Sequence, residues 1–189
     1  MPADRGAETL LIVQCGSTHP RVRARFGDYD RWFSERLGVA DDRVRTIRPF
    51  LGEQLPSYEG LRGILLSGSP ASVRDEAPWM KELGRWALEA DRRGIPVLGV
   101  CFGHQLLAEA LGGRIEPSPA GWEFGTVEVD LTEAGRGDPL FEGLPARFLA
   151  HTVHREEIVA PPRDVLRLAG NAHSAWQAFA AGARLRGVQ

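Results

Sequence analysis

Cysteine is scarce in this sequence, occurring only as Cys15 and Cys101. Two thiols so far apart, with no C-x-x-C and no Cys/His cluster, exclude a disulfide scaffold and give no metal-site pattern, and they fit a reducing compartment. Long apolar runs are missing too. No stretch approaches the roughly 18 residues that cross a bilayer, and the polar start from Met1 to Glu8 lacks the apolar core of a signal peptide. A cytoplasmic protein with no membrane partner is expected. A basic excess is also absent: 23 Lys and Arg stand against 25 Asp and Glu, a formal net charge of −2. That balance argues against a nucleic-acid surface. The one basic cluster, Arg21, Arg23 and Arg25, is followed at once by Asp28 and Asp30 and reads as a solvated loop. What is present is an ordinary globular composition, 43% hydrophobic and 25% charged over 189 residues, enough for one domain with a sizeable core.

The pattern along the chain alternates buried strands with helices. Thr9 to Gln14, Gly63 to Ser67 and Pro96 to Val100 are short apolar runs of strand type, and Val44 to Ile47, closed by Pro49, is strand-like. Tyr29 to Leu37 places Tyr29, Trp32, Phe33 and Leu37 at helical spacing, with Gly38 to end it. Pro78 to Arg93 predicts a helix with Trp79, Leu83, Trp86, Ala87 and Ala90 on one face, and His104 to Leu111 predicts another. The expected fold is α/β, an open, mostly parallel sheet with helices on both faces in a flavodoxin-like layout. Beyond Val127 come short strand-like runs at 127–131, 148–150, 165–169, 175–180 and 184–189, separated by Gly, Pro and Asn turns. They predict a β-rich C-terminal extension of the same single domain.

One segment carries chemistry. Gly99-Val-Cys-Phe-Gly has the form G-x-C-x-G between a strand and a helix, the cysteine counterpart of a nucleophile elbow. Gly99 and Gly103 let strand and helix meet closely around a sharply turned residue. The following helix aims unpaired N–H groups at the sulfur, which predicts a lowered thiol pKa, and the Phe102 amide points where an oxyanion would form. Cys101 is therefore the candidate nucleophile, at the carboxyl end of a strand where open α/β sheets bind ligands. Cys15 reads as a small buried hydrophobe. Gly68, in Ser67-Gly-Ser-Pro after another strand, is either a second oxyanion donor or an ordinary turn. Gln105 lies one helical turn beyond Cys101 on the same face, within reach of a bound substrate. His104, three residues on, points along the helix instead. His151 and His154 read as loop residues without the helix and further ligands that a metal pair would need, so no metal or cofactor is expected. Trp122 either lines the entrance to the site or packs.

These segments together resemble the class I (Triad) glutamine amidotransferases, in the subgroup related to the amidotransferase domain of GMP synthase. The likeness rests on Gly99-Val-Cys-Phe-Gly-His-Gln-Leu-Leu-Ala, on Ser67-Gly-Ser-Pro-Ala-Ser-Val, and on Gly121-Trp-Glu-Phe-Gly-Thr. It continues in His151-Thr-Val-His-Arg-Glu-Glu-Ile and Gly170-Asn-Ala-His-Ser-Ala-Trp-Gln-Ala-Phe, in the family's order, from about Leu61 to Gln189. The resemblance implies an enzyme that hydrolyses the side-chain amide of glutamine through a thioester on Cys101, releasing ammonia and glutamate. It implies that Gly68 and Phe102 form the oxyanion hole and that Gln105 contacts the substrate. Val153 and His154 then belong to the loop that grips the substrate's amino-acid end. The implied partners are glutamine or a γ-glutamyl small molecule and an ammonia-accepting synthetase.

The family's base and carboxylate come from a segment of the form G-V-Q-F-H-P-E, whereas this sequence ends Gly187-Val188-Gln189. The His and Glu would be the second and fourth residues beyond it. A C-terminally truncated amidotransferase domain is the expectation; an inactive binding or regulatory relative, or a base from another chain, are the alternatives. A γ-glutamyl peptide or amide hydrolase of the same fold is a further alternative for the reaction.

Overall fold

A computed structural model describes residues 9–189; the polar start expected over Met1 to Glu8 lies outside the described residues. In chain order the first half comprises β1 (Thr9–Val13), α1 (Pro20–Phe26), α2 (Tyr29–Arg36), β2 (Val44–Ile47), β3 (Leu61–Leu66), α3 (Pro78–Arg92), β4 (Val97–Val100) and α4 (Phe102–Ala110). The second comprises β5 (Arg114–Pro117), β6 (Glu123–Leu131), α5 (Glu133–Arg136), β7 (Arg147–His154), β8 (Glu156–Ala160), β9 (Val165–Gly170), β10 (Ala178–Ala181) and β11 (Leu185–Val188). Nine strands form one sheet in the order β2-β1-β3-β4-β11-β10-β9-β6-β7. The first five are parallel, and from β11 onward each pair is antiparallel. β5 and β8 pair with each other apart from the main sheet. The parallel half with its helices and the antiparallel extension are the two parts that the strand patterns announce. No described helix is long and apolar enough to cross a membrane.

The main core lies between the parallel strands and the α3–α4 layer. Leu11, Val13, Ile64, Leu66 and Val97 from the strands meet Leu83, Ala87, Leu106 and Leu107 from the helices, all at most 2% exposed. Their burial is the main stabilising contribution, each Leu or Ile giving about 1.5–3 kcal/mol relative to exposure. A second cluster, with Val129, Leu131, Leu168, Ala178 and Ala180, holds the antiparallel half together.

Three local readings are corrected. Arg21, Arg23 and Arg25 lie on helix α1 and not in a loop. Pro20 at the helix start and a hydrogen bond from the Arg21 amide to His19 Nδ1 (3.3 Å) begin this helix. Arg23 and Arg25 in its last turn suit the negative end of its dipole. The histidines 151 and 154 lie in β7 and not in a loop, because β6 pairs β7 along its whole length, from Glu123↔His154 to Asp130↔Arg147. β5 and β8 have no counterpart in the sequence patterns. Each is short and followed by or ends in proline, each has only the other as its strand partner, and Ile115 and Ile158 anchor the pair in the main core.

Candidate active site

Between β4 and α4 the chain reverses at Cys101, whose φ of +53° and ψ of −104° are rare for a residue with a side chain. The turn is held from both sides. The Cys101 amide donates to the Val188 carbonyl of β11 at 2.8 Å, and the Cys101 carbonyl accepts from the Gln105 amide at 3.1 Å. A side chain at Gly103 would come within 2.5 Å of the Leu66 carbonyl oxygen, and one at Gly99 would fall on the Gly103 carbonyl. Glycine at both positions is thus what lets α4 start against β3 and β4. The Phe102 ring is buried and stacks on Trp79 at 5.8 Å between centroids, which anchors its backbone.

Burial holds the Cys101 thiol above its ordinary pKa, outweighing the nearby Phe102 amide and Gln189 side chain, which pull the other way. The net direction is opposite to the lowering expected from the helix terminus alone. Desolvation of a thiolate costs more here than one amide and one carboxamide return. Gly68, just after β3, lies directly beside Cys101: a Cβ built on it would stand 3.6 Å from Cys101 Cβ. Ser67 fixes that loop, with its hydroxyl accepting from the Cys15 amide (2.9 Å) and donating to the Gly68 carbonyl (2.8 Å). Burial pushes the Cys15 thiol up to about 12, so it is a packed group and no nucleophile.

Cys101 forms the floor of a cavity of about 790 Å³ together with Gly68, Phe102 and Gln105. One wall is the loop from Ser69 to Ser72, another is Val153 to Glu156, and Trp122, 64% exposed, stands at the rim. Every residue that the resemblance assigns to the site therefore lines one cavity. Gln105 is held inside this chain: its Nε2 donates to the Glu156 carbonyl (2.9 Å) and to Gln189 Oε1 (3.0 Å). Val153 is exposed, but the His154 ring is buried and turned away into a polar cluster.

In that cluster the Glu123 carboxylate accepts from His154 Nε2 (2.7 Å), Gln177 Nε2 (2.6 Å) and Asn171 Nδ2 (2.6 Å). His154 Nδ1 faces the Glu156 carbonyl at 3.1 Å. Both ring nitrogens therefore face oxygen atoms. Burial opposes the charge on Glu123, but the hydrogen bonds from Asn171, Gln177 and His154 win and hold its pKa below the usual range. The Glu156 carboxylate accepts from the Ser72 hydroxyl at 2.8 Å and lies 3.6 Å from Arg74. The two walls of the cavity are thereby tied together.

The remaining histidines do not reach the sulfur. His104 is fully buried against Phe179, 5.0 Å between centroids, and neither ring nitrogen has a well-formed hydrogen bond. Burial pushes its pKa down to about 3, with the backbones of Gly187 and Trp176 offsetting this slightly. His151 is exposed beside Thr126 (3.0 Å). Three residues from His154 in the same strand, it points to the opposite face, so the two cannot share a metal.

The wall formed by α2 was not legible as part of the site. Tyr29, Trp32, Phe33 and Arg36 all face the cavity, and α2 buries no residue in the core. Its apolar face has the spacing of a core-packing helix, and that pattern cannot tell a core from a cavity. Burial holds the Tyr29 hydroxyl above its ordinary range, and the nearby Cys101 adds to the effect. Glu123 and Glu156 sat inside recognisable motifs but carried no signal of their partners.

Comparison with known proteins accords with this geometry. The family model for glutamine amidotransferase class-I matches residues 39–189. The chain is 37% identical over 181 residues to "GMP synthase [glutamine-hydrolyzing]" of Aeropyrum pernix, covering 95% of this chain and 32% of that protein. It is 36% identical over 192 residues to the protein of the same name from Syntrophomonas wolfei, covering 96% of this chain and 32% of that one. The chain thus spans about a third of the length of these two relatives. Among solved structures, a glutamine amido transferase from Methylobacillus flagellatus superposes with a TM-score of 0.77 at 22% identity, over 97% of this chain and 70% of the other. A glutamine amidotransferase from Thermotoga maritima gives 0.76 at 21% identity, over 97% and 76%. By motif, topology and family match alike, the chain belongs to the class I glutamine amidotransferases.

Proposed function

We propose that the chain is a single amidotransferase domain that hydrolyses the side-chain amide of glutamine through Cys101. The Cys101 sulfur adds to the amide carbon, and the oxygen gathers negative charge beside the Gly68 and Phe102 amides. The C–N bond breaks, ammonia departs with the proton that the thiol gave up, and water cleaves the thioester to glutamate. Val153 at the end of β7 and the turn that follows hold the amino-acid end, and the Glu156 carboxylate complements the substrate's ammonium group. Gln105 acts by holding the Glu156 carbonyl in place. The proton acceptor for the thiol is not among the described histidines, since none shares a hydrogen bond with Cys101. A thiol above its ordinary pKa needs such a base. The relatives named GMP synthase support an ammonia-accepting synthetase as the partner in the cytoplasm.

The observation that carries this reading is the strained Cys101 between Gly68 and the Phe102 amide on the floor of the cavity. The test is ammonia release from glutamine by the product of the native gene, alongside its Cys101→Ala variant. Release that the variant lacks supports the reading. Equal release by both, or none by either, sinks it.

A further inference from the structure

We infer that β7 is a pairing edge for a second copy of this chain, and that two copies join antiparallel about a two-fold axis through His151, continuing the main sheet from one copy into the next.

The two edges of the nine-stranded sheet are unlike. β2 has four residues, carries Arg45 and has Pro49 just beyond its end, and a short, charged, proline-flanked strand makes a poor template for further pairing. β7 has eight residues, from Arg147 to His154, with no proline and no lysine. It pairs β6 along its whole length without a register shift, whereas β1 on β3, β10 on β9 and β5 on β8 all shift. Among the described residues no strand pairs its outer side. Alternate residues of β7 therefore turn N–H and C=O groups outward along about 25 Å of regular strand.

The side chains of this edge suit a second copy of themselves. Arg147, Leu149, His151 and Val153 share the outer face of β7 and are all exposed, Leu149 by 69% and Val153 by 59%. A two-fold axis normal to the sheet keeps each face on its own side, so the numbers of two paired residues must sum to an even number. With the axis on His151, Leu149 meets Val153 of the second copy, and the same pair recurs on the other side of the axis. On the inner face Ala150 meets Thr152. Phe124, 80% exposed, flanks Val153 from β6 and extends the apolar strip. An axis on Ala150 or Thr152 makes no apolar pair on the outer face, and one on Leu149 makes a single pair over a shorter overlap. Cross-strand apolar pairs are what stabilise one register over its neighbours, which selects His151. Val153 also lines the Cys101 cavity, so Leu149 of the second copy stands beside that wall. One strand with its flanking side chains is a small interface, below about 1,200 Å² in all, and the dimer should dissociate at on the order of micromolar concentration.

The experiment is sedimentation velocity on the native gene product between about 1 and about 100 μM, a range that brackets a micromolar dissociation constant, with Leu149→Lys beside it. A shift from monomer to dimer across that range is expected, and Leu149→Lys, at an exposed position that leaves the fold intact, should weaken it by at least about tenfold. His151→Cys tests the register itself. Opposed residues on antiparallel strands have Cα atoms about 4.5–5.5 Å apart, within reach of a disulfide, so mild oxidation should link the two copies through position 151. Thr126→Cys, on β6 opposite His151, stands three strand spacings or roughly 14 Å from its counterpart and should stay unlinked. Peptide mass spectrometry reads both. A monomer throughout with no link at 151 overturns the inference. A dimer that Leu149→Lys leaves unchanged and that forms no link at 151 overturns it equally, since such a dimer joins through another surface.

Discussion

Removing the Glu123 carboxylate tests whether the buried polar cluster holds the second half of the site. Glu123→Ala strips one acceptor from each of three donors, the His154 ring and the Asn171 and Gln177 amides, at 2.6–2.7 Å. Leaving buried donors without their charged acceptor costs about 1–3 kcal/mol each, here about 3–5 kcal/mol in all since Asn171 is only half-buried. For a domain of this size each kcal/mol shifts Tm by roughly 2–4 °C, so a drop of about 6–20 °C is expected. Against whole-domain stabilities of about 5–15 kcal/mol, that is a large share of the total. Thermal melting and urea titration measure this, with His154→Ala and the double variant completing a cycle. A coupling energy above about 1 kcal/mol is expected for residues in direct contact. The pH dependence gives a second readout. The Glu123 pKa is lowered in the folded state, so its contribution is fully present above the ordinary carboxylate range and is lost as pH falls through the lowered value. Glu123→Gln should flatten that acid limb. A Tm loss under about 2 °C in Glu123→Ala, or strictly additive single variants, would refute the reasoning.

Four further outcomes are expected. Gly187→Ala puts a methyl 2.5 Å from the Phe179 ring and 2.8 Å from His104 Nδ1, both fully buried, so thermal melting should show a loss of about 1–3 kcal/mol. Because burial raises the Cys101 thiol, its alkylation by iodoacetamide in the 189-residue chain should keep accelerating beyond the ordinary thiol range; a plateau near neutral pH would mean that the helix terminus wins after all. Cys15, at about 12 and buried, should stay unlabelled until the chain unfolds, which peptide mass spectrometry reads directly. Ser72→Ala removes the hydroxyl that holds the Glu156 carboxylate at 2.8 Å, and should raise KM several-fold with kcat little changed, the signature of lost ground-state binding.

Legibility in the sequence followed the physics of each signal. Buried parallel strands are continuous apolar runs, so β1, β3 and β4 could be placed within two residues. The elbow was legible because the close approach of β4 and α4 requires glycine at two fixed positions around Cys101. Strands whose partners are distant were harder. β7 reaches His154 only because β6 pairs it to the end, and β6 begins at Glu123 through Gly125, which takes a φ of +111°. Net electrostatics were also out of reach. The dipole of α4 is visible in a sequence, but the burial that outweighs it at Cys101 depends on β11, α2 and the loop around Gly68. For the same reason α2 was recognisable as a helix and not as a wall, since its aromatic spacing is the same whether a core or a cavity lies opposite.

The two halves of the sheet divide the work at the site according to what each can hold rigidly. A parallel strand running into a helix can present a single strained nucleophile, because the close packing around Gly99 and Gly103 permits no other path. It cannot supply the substrate's other contacts, which lie several residues away from the strand ends. In the proposed reaction those come from the β7–β8 junction, a turn that would be loose by itself. His154 and Gln105 both hydrogen-bond the Glu156 carbonyl, and Ser72 binds its carboxylate, so this one residue is fixed from β7, from the elbow helix and from the loop after β3. His154 is itself fixed by Glu123, which Asn171 and Gln177 hold in turn. A buried network of this kind adds little net stability over an apolar core but admits one arrangement only. The polar residues clustered behind the cavity are therefore best understood as setting the position of the Glu156 turn relative to Cys101, and disrupting any of them should change substrate binding before it changes the chemistry at the sulfur.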